Sequence, residues 1–276
     1  KAVPEKQARF SWNRINLKGN QIMMAIAIAV VSIVLASIED AKSTTKLLVT
    51  IALPFLIFCG LYTQQPKLVA NCNLFLFLTE ATNVNFVGAT DYFYTAKCFG
   101  NPNFSYTFYV TYSLLLSAVF TLLGIYLYSR IENNYLKTIF SWVTVIKVFT
   151  SGVEVAQVAR LNLGYVDDQS LYILGEAIVQ PVISMLFFMP MVVVTSRLAA
   201  KSEEAITYAT MAGLQNMGTL VATQMGGVLT QMYGVHDCNF SKFPQALVLG
   251  HMTMPMIIIP LAFFLLPHYK PTLKFS

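Results

Sequence analysis

Eight apolar runs, each long enough to cross a bilayer and joined by short polar connections, leave this chain few ways to fold. They lie at about 21–38, 47–62, 68–90, 107–128, 139–161, 171–197, 205–233 and 245–267. A hydrocarbon core about 30 Å thick takes about 20 apolar residues per helix, and inside it each segment must satisfy its own backbone N–H and C=O groups. The expectation is an all-α membrane protein with about eight transmembrane helices. Composition agrees, with 56% hydrophobic and 11% charged residues against about 25% charged in soluble domains. The net charge of +5 is therefore read by position, with the lipid bilayer as the expected partner and no nucleic acid.

Basic residues divide unevenly between the two sides that eight spans define. Of 18 Lys and Arg, twelve fall on the side of the N-terminus, five on the other, and Lys147 inside a span. Positive loops stay in the cytoplasm, so both termini are expected there, in an integral multi-pass protein of the plasma membrane rather than an internal one. The sequons at Asn103 and Asn239 both fall on the opposite, outer side, as glycosylation requires. The chain starts at Lys1 with a basic, polar segment that lacks a signal-peptide core, and it is read as a fragment. Cys59, Cys72, Cys98 and Cys238 show no CxxC spacing; the expectation is buried thiols without a disulfide framework.

Charges inside the fifth run shape the functional reading. Lys147 and Glu154 are seven residues apart, almost two helical turns, so they share a face about 10 Å apart along the axis. Each costs about 2.5–3.5 kcal/mol at mid-bilayer on insertion scales and normally faces a bundle interior or a wet cavity. Structural ion pairing with another helix and a solute or ion pathway both fit that pattern. Glu80, Asp91 and Glu176 add carboxylates, and amides from Asn71 to Gln224 could line a polar cavity. A carboxylate accepts paired hydrogen bonds from an amino-substituted ring, and lysine attracts an anion, which favours an amphoteric organic solute. Buried carboxylates are also suited to carry protons, making Glu154 and Glu176 proton-coupling candidates.

Other features read as packing. Ala205, Ala209 and Gly213, then Gly218, Ala222 and Gly226, form a small-residue stripe that lets another backbone approach. Pro181, Pro190, Pro255 and Pro260 should free carbonyls and kink their helices. Tyr92, Phe93 and Tyr94 could be an interfacial belt or a stacking surface. His236, His251 and His268 are scattered, with no HExxH or GxSxG, so no enzyme, metal site or cofactor is expected.

Several stretches together resemble the folate and biopterin transporter family, a branch of the major facilitator superfamily that includes protozoan pteridine carriers. They are Ala89-Thr90-Asp91-Tyr92-Phe93-Tyr94-Thr95, the run from Pro102 to Tyr109, Leu174-Gly175-Glu176, Met189-Pro190-Met191, and Glu204-Ala205-Ile206-Thr207-Tyr208-Ala209 followed by Asn216 and Gly218. Glu176 replaces the family's aspartate, Ile206 replaces a threonine, and the preceding loop lacks the common Pro-x-Gly. The resemblance implies a twelve-span, major facilitator-type fold, of which this chain would hold the last two helices of the N-terminal half (1–66) and the six-helix C-terminal half (67–276), without the first four helices. It implies transport of folate or pterins by alternating access; the charges inside the spans add possible proton coupling and a site at Lys147, Glu154, Asp91 and Glu176, with Asn216 added from the resembling stretch. The alternatives are a carrier of another organic anion, such as an amino acid or nucleoside, and a truncated, non-transporting scaffold.

Overall fold

The computed structural model describes residues 19–38, 41–131, 135–198 and 204–267. They form nine helices and, among the described residues, no strand: α1 (Gly19–Ser37), α2 (Ser43–Gln64), α3 (Lys67–Ala81), α4 (Val87–Thr95), α5 (Thr107–Ile131), α6 (Leu136–Val158), α7 (168–198), α8 (Glu204–Met232) and α9 (Phe243–Leu265). Six of these, α1, α2, α5, α6, α7 and α9, are long and apolar enough to cross a membrane. The 29 residues of α8 would span about 44 Å, but its face carries Gln215, Asn216 and Gln224.

The third apolar run differs from the single span expected over 68–90. It divides into α3 and α4, with non-helical backbone at 82–86. The sequence here is Thr82-Asn83-Val84-Asn85, and such residues stiffen the side chain or compete for backbone hydrogen bonds, so they hold a helix weakly. Non-helical backbone at membrane depth persists only against protein or a cavity, and α8 supplies the protein. The Asn85 N–H donates to the Ala222 carbonyl at 3.1 Å. A Cβ on Gly226 would collide with the Asn85 carbonyl, and one on Gly218 would lie 2.7 Å from the Phe77 carbonyl oxygen. The stripe of small residues thus admits α3 and the break that follows it.

Three other helices contain a π-helical turn: Thr107–Tyr112 at the start of α5, Ile173–Val179 in α7 and Val248–Thr253 in α9. The last two precede Pro181 and Pro255 closely. Proline lacks an N–H and its ring pushes on the carbonyl four residues back, and wider turns relieve both; in α9 the Met254 N–H reaches back to Leu249 at 3.0 Å.

Helix α8 packs on α1, α2 and α3, α5 lies along α7, and α6 along α9. One apolar cluster, including Phe75, Leu136, Phe140, Met191 and Ile258, closes one end of the bundle. A second, built from Phe86, Phe93, Tyr94, Phe104, Tyr172 and Phe243, closes the other. Phe93 and Tyr94 are 1% and 0% exposed and packed in edge and stacked ring contacts; they are core rather than stacking surface, while Tyr92 is exposed and tilted on Phe240.

The cysteines also depart from expectation. Cys98, in the α4–α5 loop, and Cys238, in the α8–α9 loop, form a disulfide across 140 residues of sequence. Only the fold brings them together, so spacing carried no sign of it. Cys72 is a buried thiol and Cys59 an exposed one.

Candidate functional site

Between the two end clusters lies a cavity of about 340 Å³, within the range of about 300–1,000 Å³ typical of small-molecule sites. Regular helix α6 supplies one wall. Lys147, Ser151 and Glu154 stand on its inward face at helical spacing, and Lys147 is only 8% exposed. The expected common face is therefore present, and the two charges are not paired with each other.

Irregular backbone supplies the groups opposite. The Lys147 Nζ donates to Asn83 Oδ1 at 2.6 Å, from the end of α3, and lies 5.7 Å from the centroid of the Phe187 ring. Glu154 Oε2 is 2.6 Å from His251 Nδ1, and the π turn of α9 aims that ring inward. His251 Nε2 lies 2.9 Å from the Val84 carbonyl, which the break leaves without a helical donor. Tyr109, in the π turn of α5, donates from its hydroxyl to Asp91 Oδ1 at 2.6 Å. Glu176 enters from the π turn of α7. Neither it nor Glu80 has a side-chain hydrogen bond within the described residues.

Four of the five expected site residues, Lys147, Glu154, Asp91 and Glu176, therefore meet in one cavity. Asn216 does not: it is exposed on α8 and outside the cavity lining. Many of the intramembrane amides are used elsewhere. Asn71 accepts from Tyr62, Asn73 donates to Gln65, and Gln224 donates to the Leu35 carbonyl. Gln157 lines the cavity while bridging Tyr94 and the Asp168 carbonyl. His251 and Tyr109 were not among the expected site residues. For His251 a signal existed, since an ionisable ring inside an apolar run is itself a functional pointer; Tyr109 stood out only as the end of the stretch from Pro102 that resembles the family.

A second chamber of about 220 Å³ shares Glu80, Asn83, Lys147 and Gln180 with the first and continues along Ser184, Phe187 and Pro255. Glu80 and Lys147 thus line both chambers, and Asp91, Glu154 and Glu176 the larger. Such an array can hold a molecule that carries hydrogen-bond donors at one end and an anion at the other.

Comparison with known proteins places the chain in a family. The chain is 26% identical over 212 residues to a folate-biopterin transporter of Synechocystis sp., covering 76% of this chain and 41% of that protein. It is 24% identical over 197 residues to probable folate-biopterin transporter 5 of Arabidopsis thaliana, covering 71% and 39%, and 26% identical over 171 residues to probable folate-biopterin transporter 6 of the same plant, covering 62% and 34%. The chain thus spans about two fifths or less of the length of these relatives. No solved structure matches it. The model of the BT1 family matches residues 4–274, nearly the whole sequence, and the chain belongs to that family.

Proposed function

We propose that this chain forms the solute-binding part of a membrane carrier for folates or pterins that works by alternating access. The observation that carries the reading is the single cavity in which Lys147 faces the carboxylates Glu80, Asp91, Glu154 and Glu176, in a chain of the BT1 family. An amino-pyrimidine edge presents parallel donors that a carboxylate accepts. Glu176, which among the described residues has no side-chain hydrogen bond, is the best placed to receive it, with Asp91 and Glu154 in the same cavity. Lys147 then attracts the carboxylate of a glutamyl tail or holds a cavity carboxylate. Helices α1 and α2 (1–66) and the unit from 67 onward belong, in this reading, to the two halves between which the solute passes.

The disulfide supports the expected orientation. Such bonds persist in oxidising compartments, and Cys98 and Cys238 lie in the same two connections as the sequons Asn103 and Asn239. In this reading that end faces outward and the termini lie in the cytoplasm, with the plasma membrane as the proposed location.

The test is uptake of labelled folate and biopterin by cells expressing the full-length protein, with unlabelled amino acids and nucleosides as competitors. Unlabelled folate and pterins should compete, and the amino acids and nucleosides should not. Undiminished uptake by Lys147→Met at equal surface expression would remove the assigned role, and competition by unrelated solutes would move the substrate class.

A further inference from the structure

We propose that His251 and Glu154 form a proton-binding pair whose proton ties α9 to α6 and to the break between α3 and α4. The argument is one of donors and acceptors, and it deepens the transport reading above, on which its coupling role rests.

Both ring nitrogens of His251 face oxygen, Nδ1 at 2.6 Å from Glu154 Oε2 and Nε2 at 2.9 Å from the Val84 carbonyl. A carbonyl only accepts, so Nε2 carries a hydrogen. A neutral imidazole has one hydrogen, which leaves a bare lone pair on Nδ1 against a carboxylate oxygen. Two acceptors repel at that distance, and one further proton turns the contact into a charge-assisted hydrogen bond. Imidazole is the more basic partner by about two pH units in model compounds, so the pair is an imidazolium against a carboxylate. The ring is also held in place: Phe86 lies 5.3 Å away centroid to centroid, and a Cβ on the adjacent Gly250 would be 2.5 Å from that phenyl ring.

Ionisable groups surround the pair on nearly every wall. Lys147 stands on α6 with Glu154, Glu176 on α7, Tyr109 on α5, and Glu80 and Asp91 on either side of the break; α8 contributes only Thr219 and Ala222. When the proton leaves, it passes from the Nδ1–Oε2 contact to cavity water, while Nε2 keeps its hydrogen on Val84. The bare Nδ1 and the carboxylate then repel, and Glu154 is released from α9 toward the solute. Proton occupancy is thereby linked to the geometry of three cavity walls.

Nitrogen-15 spectra of the purified full-length protein, labelled at histidine, test this directly. His251→Gln identifies its signal among the histidines of the full-length protein. The expected ring is doubly protonated across about pH 5 to 8, where an ordinary histidine loses its charge. In Glu154→Gln, whose amide can donate to Nδ1, the ring should become neutral with its hydrogen on Nε2. A neutral His251 in the unaltered protein at pH 6, or an unchanged imidazolium in Glu154→Gln, overturns the proposal. Biopterin binding to the same samples gives a second reading. One linked proton makes affinity vary up to about tenfold per pH unit on the limb where the pair titrates, and both variants should flatten that slope. A slope that persists in both also overturns the proposal, whereas failure of the unaltered protein to bind biopterin at any pH counts against the transport reading and leaves the spectra to judge the pair.

Discussion

Helix α6 and the α3–α4 segment place polar groups in the same cavity by opposite means. In α6 the backbone is regular, and Lys147 and Glu154 reach the cavity because seven residues return a helix to nearly the same face. In α3–α4 the helix stops, and the groups presented are Asn83 and the Val84 carbonyl, which meet Lys147 and His251. The π turns of α5, α7 and α9 resemble the second case, since each carries one ionisable cavity residue, Tyr109, Glu176 or His251. A regular helix thus offers charge by periodicity, and broken or widened helices offer the partners that keep the charge stable in a low-dielectric surrounding. Irregular turns of this kind are common at functional sites, and in carriers they mark where solutes bind.

Substitutions can break or sharpen this contrast. The largest effect is expected at Gly226, because a Cβ there meets backbone of the break rather than a movable side chain. Gly226→Ala should destabilise the protein by about 1–3 kcal/mol, the usual range for overpacking, seen as a lower thermal midpoint in detergent. Gly88→Ala in α4, with nothing within 4 Å of the added atom, should not lower it; equal losses would mean that the break does not depend on close approach by α8.

Next comes Lys147→Met, which removes a charged donor from the regular helix. Hydrogen bonds to charged groups are worth about 1.5–3 kcal/mol, so folate uptake should fall about ten- to a hundredfold while the protein still folds. Tyr109→Phe tests a π turn instead. It removes one hydrogen-bond donor from Asp91 and leaves the carboxylate in place, and pterin affinity should change by several-fold at unaltered expression. A change as large as that at Lys147 would make the irregular helices the principal binding elements. Asn216→Ala should alter uptake by less than about twofold, because exposed substitutions are usually within about 0.5 kcal/mol.

The smallest effect belongs to the regular start of α7. Asp167 accepts from the Ser170 N–H at 2.9 Å, and these backbone hydrogen bonds hold its carboxyl below the usual range. Its capping contribution is present above the ordinary carboxylate pKa and fades as pH falls through the lowered one. A thermal scan of Asp167→Ala should accordingly show a slight loss near neutrality and none in strong acid.

Legibility followed the same division. The approximate position of every span was readable, since an apolar run of bilayer length admits a helix whatever its neighbours do. Lys147 and Glu154 were readable as a face, and the small-residue stripe of α8 as a contact. The break at 82–86 was not, because Val84 and Phe86 continue the apolar run and the neighbouring amides, Asn83 and Asn85, suit a helix facing a cavity as well as they suit a stop. Asn216 was assigned through its place in a familiar stretch, and no local feature separates it from Asn83, which does reach the cavity.

What the chain by itself determined is therefore the set of one-dimensional quantities: length of each apolar run, periodicity of its charges, spacing of its small residues, and the family they belong to. These depend on neighbours a few residues away and are fixed by helix geometry. The tertiary structure alone decided the pairings, Lys147 with Asn83, Glu154 with His251, and Cys98 with Cys238 across 140 residues. Each joins residues from separate helices or loops, and which ones meet depends on how the helices pack and where their backbones bend, a collective outcome that no single stretch of sequence carries.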